Sequence, residues 1–178
     1  MEKGKVIFLN GATSSGKTTI AKAIQKTADE NYYHLSNDLF YDIEEQMYNP
    51  RFYTDTETYM AEAVVLMYHF AKVLVEQGTN VIIDGMFHED EGYLIKYGKT
   101  NYDSLLDILA GVNLFMVEVF CPLDECRRRN IARGDRREEH SKQQHEIMNR
   151  TVKYDFFVDT SIDSAQTCTD KILKAFQR

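Results

Sequence analysis

The stretch Gly11-Ala12-Thr13-Ser14-Ser15-Gly16-Lys17-Thr18 meets every fixed position of G-x-x-x-x-G-K-[ST], the spacing of a loop built to hold phosphates. Its chemistry is that of backbone N–H groups and a helix N-terminus aimed at one point, where an anion is attracted. In such a loop Lys17 reaches the β- and γ-phosphates and the Thr18 hydroxyl sits on Mg²⁺, with Thr19 as a further contact. Gly11 and Gly16 permit backbone angles and a close approach that a Cβ would block. The flanks agree. Lys5-Val6-Ile7-Phe8-Leu9 is a short apolar run of strand type, and Ile20, Ala23, Ile24 and Thr27 recur at helical spacing. The expected ligand is a nucleoside triphosphate.

Two carboxylates and a group of arginines suggest what is done with it. Asp84 ends the apolar run Val81-Ile82-Ile83, as an aspartate that positions Mg²⁺ does; a carboxylate that merely caps a turn would look the same. Asp38 closes a second run, Tyr32-Tyr33-His34-Leu35-Ser36. It is placed either to accept the proton of an acceptor hydroxyl or to cap the helix from Leu39 to Met47, a task Asn37 can also take. Six of the nine arginines lie between 127 and 137. Their planar forks suit phosphate, and Gly134 interrupts the run, so residues 127–140 read as a mobile lid. Arg133 and Arg136 flank Gly134-Asp135 and are the expected phosphate contacts. Arg129 is a candidate for stacking on a nucleotide base. Asp135, Glu138 and Glu139 offer the others ordinary surface partners.

Eight of the 21 aromatic residues fall between Tyr32 and Tyr59, either as core or as the lining of an acceptor pocket. Of the histidines, His88 follows the third strand and is a candidate to face an acceptor. His69 reads as structural in a packed helix, and none has metal-ligand spacing. Cys121, Cys126 and Cys168 are an odd number without a zinc pattern, so reduced buried thiols and a cytoplasmic location are expected.

The elements that must position these groups alternate. After the second strand and the short helix, Tyr48 to Thr56 reads as a loop. Thr58 to Gln77 reads as a helix with Met60, Ala63, Val64, Met67, Ala71 and Leu74 on its buried stripe. A strand at Val81–Asp84, a helical stretch from about His88 to Leu109 and a strand at Leu114–Phe120 follow. A basic helix from Leu123 is broken at Gly134 and resumes from about Glu138 to Val152. Phe156–Asp159 is the last strand, and Asp163-x-x-Gln166 resembles a capping box for a final helix. Such alternation predicts an α/β fold, a parallel sheet covered on both faces, with ligands at the C-terminal strand ends.

At 178 residues the chain is expected to form one domain, 1–178. A net charge of −7 argues against a nucleic-acid or anionic-membrane partner, which needs a basic face. The longest apolar stretch, Ala61 to Val75, carries Glu62, His69 and Lys72 and is not expected to span a bilayer.

Three segments together resemble one family. Asn10 to Thr18 resembles the phosphate loop of the chloramphenicol phosphotransferase-like kinases, Ala132-Arg133-Gly134-Asp135-Arg136 their lid motif, and Tyr154-Asp155-x-x-Val158-Asp159-Thr160 their last-strand motif. The resemblance implies a three-layer P-loop kinase fold with a five-stranded parallel sheet in the order 2-3-1-4-5. It also implies transfer of the ATP γ-phosphoryl group to the hydroxyl of a small-molecule acceptor. Residue by residue, it makes Asp38 the general base, Lys17 and Thr18 the phosphate and Mg²⁺ contacts, and Arg133 and Arg136 the lid arginines. Gly85 departs from it, standing where the family resemblance leads one to expect a second acidic residue, and Phe40 to Tyr59 has no counterpart. The alternatives are a kinase for a nucleoside, a nucleotide sugar or a polynucleotide 5′-hydroxyl, and a nucleotide-binding switch or regulatory ATPase.

Overall fold

The computed structural model describes residues 2–47, 56–88, 98–134, 138–148 and 150–177. The chain runs β1 (Lys5–Asn10), α1 (Lys17–Thr27), β2 (Tyr32–Ser36), α2 (Asn37–Met47), α3 (Thr56–Glu76), β3 (Asn80–Gly85), α4 (Asn101–Ile108), β4 (Asn113–Phe120), α5 (Leu123–Arg133), α6 (Glu138–Ile147), β5 (Phe156–Asp159) and α7 (Ala165–Phe176). All strand pairs are parallel and the order is β2-β3-β1-β4-β5, as the family resemblance implies.

β1 lies at the centre and is buried from Val6 to Asn10, which explains its unbroken apolar run: a parallel strand covered on both faces has no polar side. Successive side chains serve opposite layers. Val6 and Phe8 pack with Leu35, Val81 and Ile83 beneath α3 and α4. Ile7 and Leu9 pack with Ile82, Val117 and Val158 beneath α1 and α7. Phe87 stacks on Phe8 at 4.6 Å and meets the edge of Tyr102 at 5.2 Å, extending the first layer past the end of β3.

The structure corrects several local expectations. On α3 the buried face includes Tyr68 and Val75, while Met60 turns outward. His69 is exposed rather than packed. Neither Asp38 nor Asn37 caps α2. Both lie in its first turn, and Ser36 Oγ accepts from Leu39 N at 3.2 Å, because the helix starts directly from the end of β2. The final helix is capped by Ser164, whose hydroxyl accepts from Thr167 N at 3.1 Å, and Asp163 instead pairs with Lys171. α6 ends at Ile147, where an isolated bridge joins Met148 to His88. Of the stretch expected from His88 to Leu109, the described helix is α4, opened by a capping box between Thr100 and Asp103. The expected loop of Tyr48 to Thr56 falls almost wholly outside the described residues.

Tyr154 and Asp155, whose roles the sequence alone does not show, tie strand ends together. Asp155 donates its N–H to Met116 O and accepts from Met116 N through its carboxylate, each at 2.8 Å, adding a rung before β5 begins. The Tyr154 hydroxyl accepts from Asn10 Nδ2, while Asn10 Oδ1 accepts from Phe87 N at 3.0 Å. Burial pushes the Tyr154 phenol up to about 12, so it stays neutral. Asn10→Ala removes both bonds from a fully buried position and is expected to cost about 1–3 kcal/mol in urea unfolding. An unchanged midpoint would mean that the network adds nothing.

Candidate active site

Register brings the functional groups to one edge. Leu9 pairs with Asp84 and Asn10 with Gly85, while Ser36 pairs with Asp84 from the other side. The phosphate loop, Asp84 and Asp38 therefore leave three adjacent parallel strands at the same end, where an open α/β sheet holds its ligands.

The loop is braced from several directions. Gly11 packs against β4, where a Cβ would stand 2.4 Å from Val119 O. Ser14 has φ 60, the left-handed region a non-glycine residue enters only when held. Its hydroxyl donates to Asn130 Oδ1 of α5. Asn130 is fully buried and in turn donates to Ser141 Oγ of α6. Gln144, one turn further along α6, accepts from Thr13 N at 2.5 Å. Gly16 is the N-cap of α1 and supplies no side-chain bond to it, and the first turn carries no acidic residue. That leaves the positive end of α1 suited to an anion.

Lys17, Thr18, Asp84 and His34 form the charged centre. Thr18 Oγ1 donates to Asp84 Oδ2 at 2.6 Å, and Lys17 Nζ lies 3.9 Å from Asp84 Oδ1 and donates to Ala12 O at 3.0 Å. His34 Nε2 stands 3.4 Å from Asp84 Oδ2. Sequence reading passed over His34; the signal was its position two residues before the end of β2, on the neighbour of the strand that carries Asp84. Burial alone opposes ionisation of Asp84, but His34, the Lys17 ammonium and the Thr18 hydroxyl outweigh it and hold the carboxyl below its ordinary range. A depressed folded value adds stability that is present above the ordinary value of about 3.9 and lost as pH falls through the folded one. Unfolding measured against pH should therefore show a steeper loss below about pH 3.9 for the unaltered chain than for Asp84→Asn; parallel curves would contradict the pairing.

Thr18 and Asp84 offer the hard oxygen ligands that Mg²⁺ takes. Among the described residues no cluster of three or more His, Cys, Asp or Glu could hold a metal. Nucleotide phosphates and water would complete the shell, the usual arrangement for this ion.

Asp38 is exposed at the start of α2 and lines the same cleft as Lys17 and Asp84. The cleft has a volume of about 1700 Å³, beyond the roughly 300–1,000 Å³ of a single-ligand pocket. Tyr41, Met60, Met86, His88 and Ile147 line it too, so His88 does reach the cleft. A side chain at position 85 would crowd its neighbours: its Cβ would stand 2.8 Å from Asn37 Oδ1 and 3.3 Å from Phe8 Cζ, so those side chains would have to shift. The absent acidic residue is thus replaced by close packing of α2 against the end of β3. Of the aromatic segment, Tyr32 and Phe40 are core, Tyr33 is exposed and Tyr41 lines the cleft. Tyr48, Phe52, Tyr53 and the side chain of Tyr59 lie outside the described residues.

The arginines divide. Arg128 forms a two-bond pair with Glu125 at 2.7 Å, which with Arg129 lowers that carboxyl to about 2. Arg129 donates to Glu125, to Ser14 O, and to the hydroxyl and carbonyl of Thr160. These bonds bracket the phosphate loop against the end of β5 and hold the guanidinium plane in place through its N–H groups. Arg133 is exposed at the last turn of α5, on the cleft, before Gly134 at φ 71. Arg136 lies outside the described residues. Cys121, Cys126 and Cys168 are buried free thiols, as expected.

The family model described as chloramphenicol phosphotransferase-like protein matches residues 4–177. The chain belongs to the chloramphenicol phosphotransferase-like family. A Mycobacterium tuberculosis protein carrying the provisional name O-phosphotransferase is similar to this family member. The two are 26% identical over 198 residues, covering 99% of this chain and 84% of the relative. Solved structures share the fold. The APS kinase CysC of Mycobacterium tuberculosis, in complex with AMPPNP and APS, superposes with a TM-score of 0.71 at 16% identity, covering 100% of both chains. Shikimate kinase from Acinetobacter baumannii, in complex with shikimate, gives 0.65 at 15% identity, covering 99% of this chain and 94% of that one. This member of the family therefore has the P-loop kinase fold. No helix among its described residues is long and apolar enough to cross a membrane.

Proposed function

We propose that this chain transfers the γ-phosphoryl group of ATP to a hydroxyl of a small molecule, with Asp38 as the base and Mg²⁺ as the cofactor. The observation that carries this reading is the meeting of the phosphate loop, the Thr18–Asp84 pair and an exposed carboxylate at Asp38 in one cleft large enough for two substrates. Phosphoryl transfer needs little covalent chemistry from the protein; positioning and charge neutralisation do most of the work. Loop N–H groups and the N-terminus of α1 hold the phosphates, and Lys17 neutralises the outer ones. Bound Mg²⁺, at Thr18 and Asp84, would supply further neutralisation of phosphate charge. Asp38 orients the acceptor hydroxyl and takes its proton. Arg133, with Arg136 from the adjoining segment, adds positive charge over the phosphates and limits wasteful hydrolysis when the cleft closes.

A net charge of −7 supports a small-molecule acceptor over a polynucleotide. The test is transfer from γ-labelled ATP with Mg²⁺ to chloramphenicol, other hydroxylated antibiotics, nucleosides, nucleotide sugars and a 5′-hydroxyl oligonucleotide. A labelled small-molecule product is expected. Labelled oligonucleotide alone, or ATP hydrolysis stimulated only by a protein partner, would overturn the reading.

A further inference from the structure

Asn37 sits between two features of the site, and its own side chain is left unexplained by either. It precedes Asp38 in the first turn of α2 and follows Ser36, whose register partner is Asp84, so it stands beside Gly85. It does not cap the helix, since Ser36 Oγ takes the Leu39 N–H. Its Oδ1 is buried without a hydrogen-bond partner, 2.8 Å from where a Cβ on Gly85 would lie, with Phe8 Cζ close by. The two ends of a carboxamide are told apart by their surroundings. Beside a glycine and a phenyl ring, an NH2 end would strand two donors where the oxygen strands one acceptor, so the oxygen is the end turned inward.

Nδ2 is not among the buried unpartnered atoms, and no hydrogen bond joins it to any described residue. Asn37 lines the cleft together with Asp38, Gly85 and Met86. The donors of its amide are thus left to the cleft. Fold stability does not account for this placement. A buried carbonyl oxygen without a donor weakens a fold, and leucine, with the same branched outline, would carry no such cost. Asn37 and Asp38 are consecutive on a helix and lie about 100° apart around its axis, so they reach different atoms of one ligand.

We propose that Asn37 determines specificity for the acceptor: its Nδ2 donates to a second oxygen of the acceptor, near the hydroxyl that Asp38 activates. The acceptor class is a hydroxyl compound with a neighbouring hydroxyl, ether or carbonyl oxygen. A carboxylate at position 85 would call for a donor on the acceptor, whereas the Asn37 amide calls for lone pairs. The proposal rests on the phosphotransferase reading and names the acceptor chemistry of that same site.

The test is binding of chloramphenicol, nucleosides and nucleotide sugars to the complex of the chain with AMPPNP and Mg²⁺. The Asn37 side-chain NH2 signal, assigned by its loss in Asn37→Leu, is followed by ¹⁵N NMR. A compound that binds is expected to move that signal and to bind Asn37→Leu about 5-fold more weakly, the loss of one hydrogen bond. Asn37→Ser keeps an O–H donor and should lose less. The urea midpoint of Asn37→Leu should match or exceed that of the unaltered chain. Binding that leaves the signal in place, equal affinity for Asn37→Leu, or no binding by any of these compounds would overturn the proposal. So would a lower urea midpoint for Asn37→Leu, the mark of a residue kept for packing. Compounds that bind and move the signal yet yield no labelled product would count against the phosphotransferase reading alone.

Discussion

Lys17→Ala is expected to lower phosphoryl transfer by about 10²–10³-fold, the usual loss when one group that stabilises transition-state charge is removed. The Lys17 ammonium is the side-chain cation set into the loop itself, 3.0 Å from Ala12 O and 3.9 Å from Asp84 Oδ1. Its charge does two things at once. It meets negative charge on the outer phosphates, and it helps to keep Asp84 ionised. Alanine removes both, so nucleotide affinity should fall along with the rate. The measurement is kcat/KM for labelled transfer beside a thermal unfolding curve. A folded Lys17→Ala protein with the unaltered rate would remove Lys17 from the mechanism.

Asp38→Asn should separate the two substrates. Asparagine keeps the shape of the side chain and forgoes its basicity, so AMPPNP affinity should stay within about 2-fold while transfer falls about 10²–10⁴-fold, the range for a positioned base. Stability is not at issue, because a carboxylate in the exposed first turn of a helix contributes only about 0.3–1 kcal/mol through the helix dipole. Single-turnover transfer from prebound ATP is the decisive readout. A wild-type rate in Asp38→Asn would show that the acceptor loses its proton without this carboxylate, and Asp38 would then serve only the helix.

Much of this site was legible because its chemistry is local. A loop whose fixed glycines, lysine and threonine lie within eight consecutive positions carries its own geometry, and Asp84 and Asp38 each follow directly on a strand. Strand ends are where a parallel sheet collects its ligands, so alternation of elements was enough to place all three together. Arg129 shows where that reasoning stops. Its type and segment suit a nucleotide contact, but its bonds to Ser14 and Thr160 were not legible, because they depend on residues 115 and 31 positions away. The capping of α2 by Ser36 was hidden for another reason: three polar residues in a row can each serve, and only the backbone path out of β2 decides among them.

What the sequence by itself determined is the phosphate loop, the parallel α/β order and the membership of Asp38 and Asp84 in one site, because each follows from residue type and short-range spacing. Only the tertiary structure decided that His34 stands beside Asp84, that Asn37 fills the space beside Gly85, that Tyr154 closes on Asn10, and that Asn130 and Gln144 brace the loop from α5 and α6. Those contacts join groups far apart in the chain. A buried polar side chain must find its partner wherever packing puts one, and no local pattern records which partner that is.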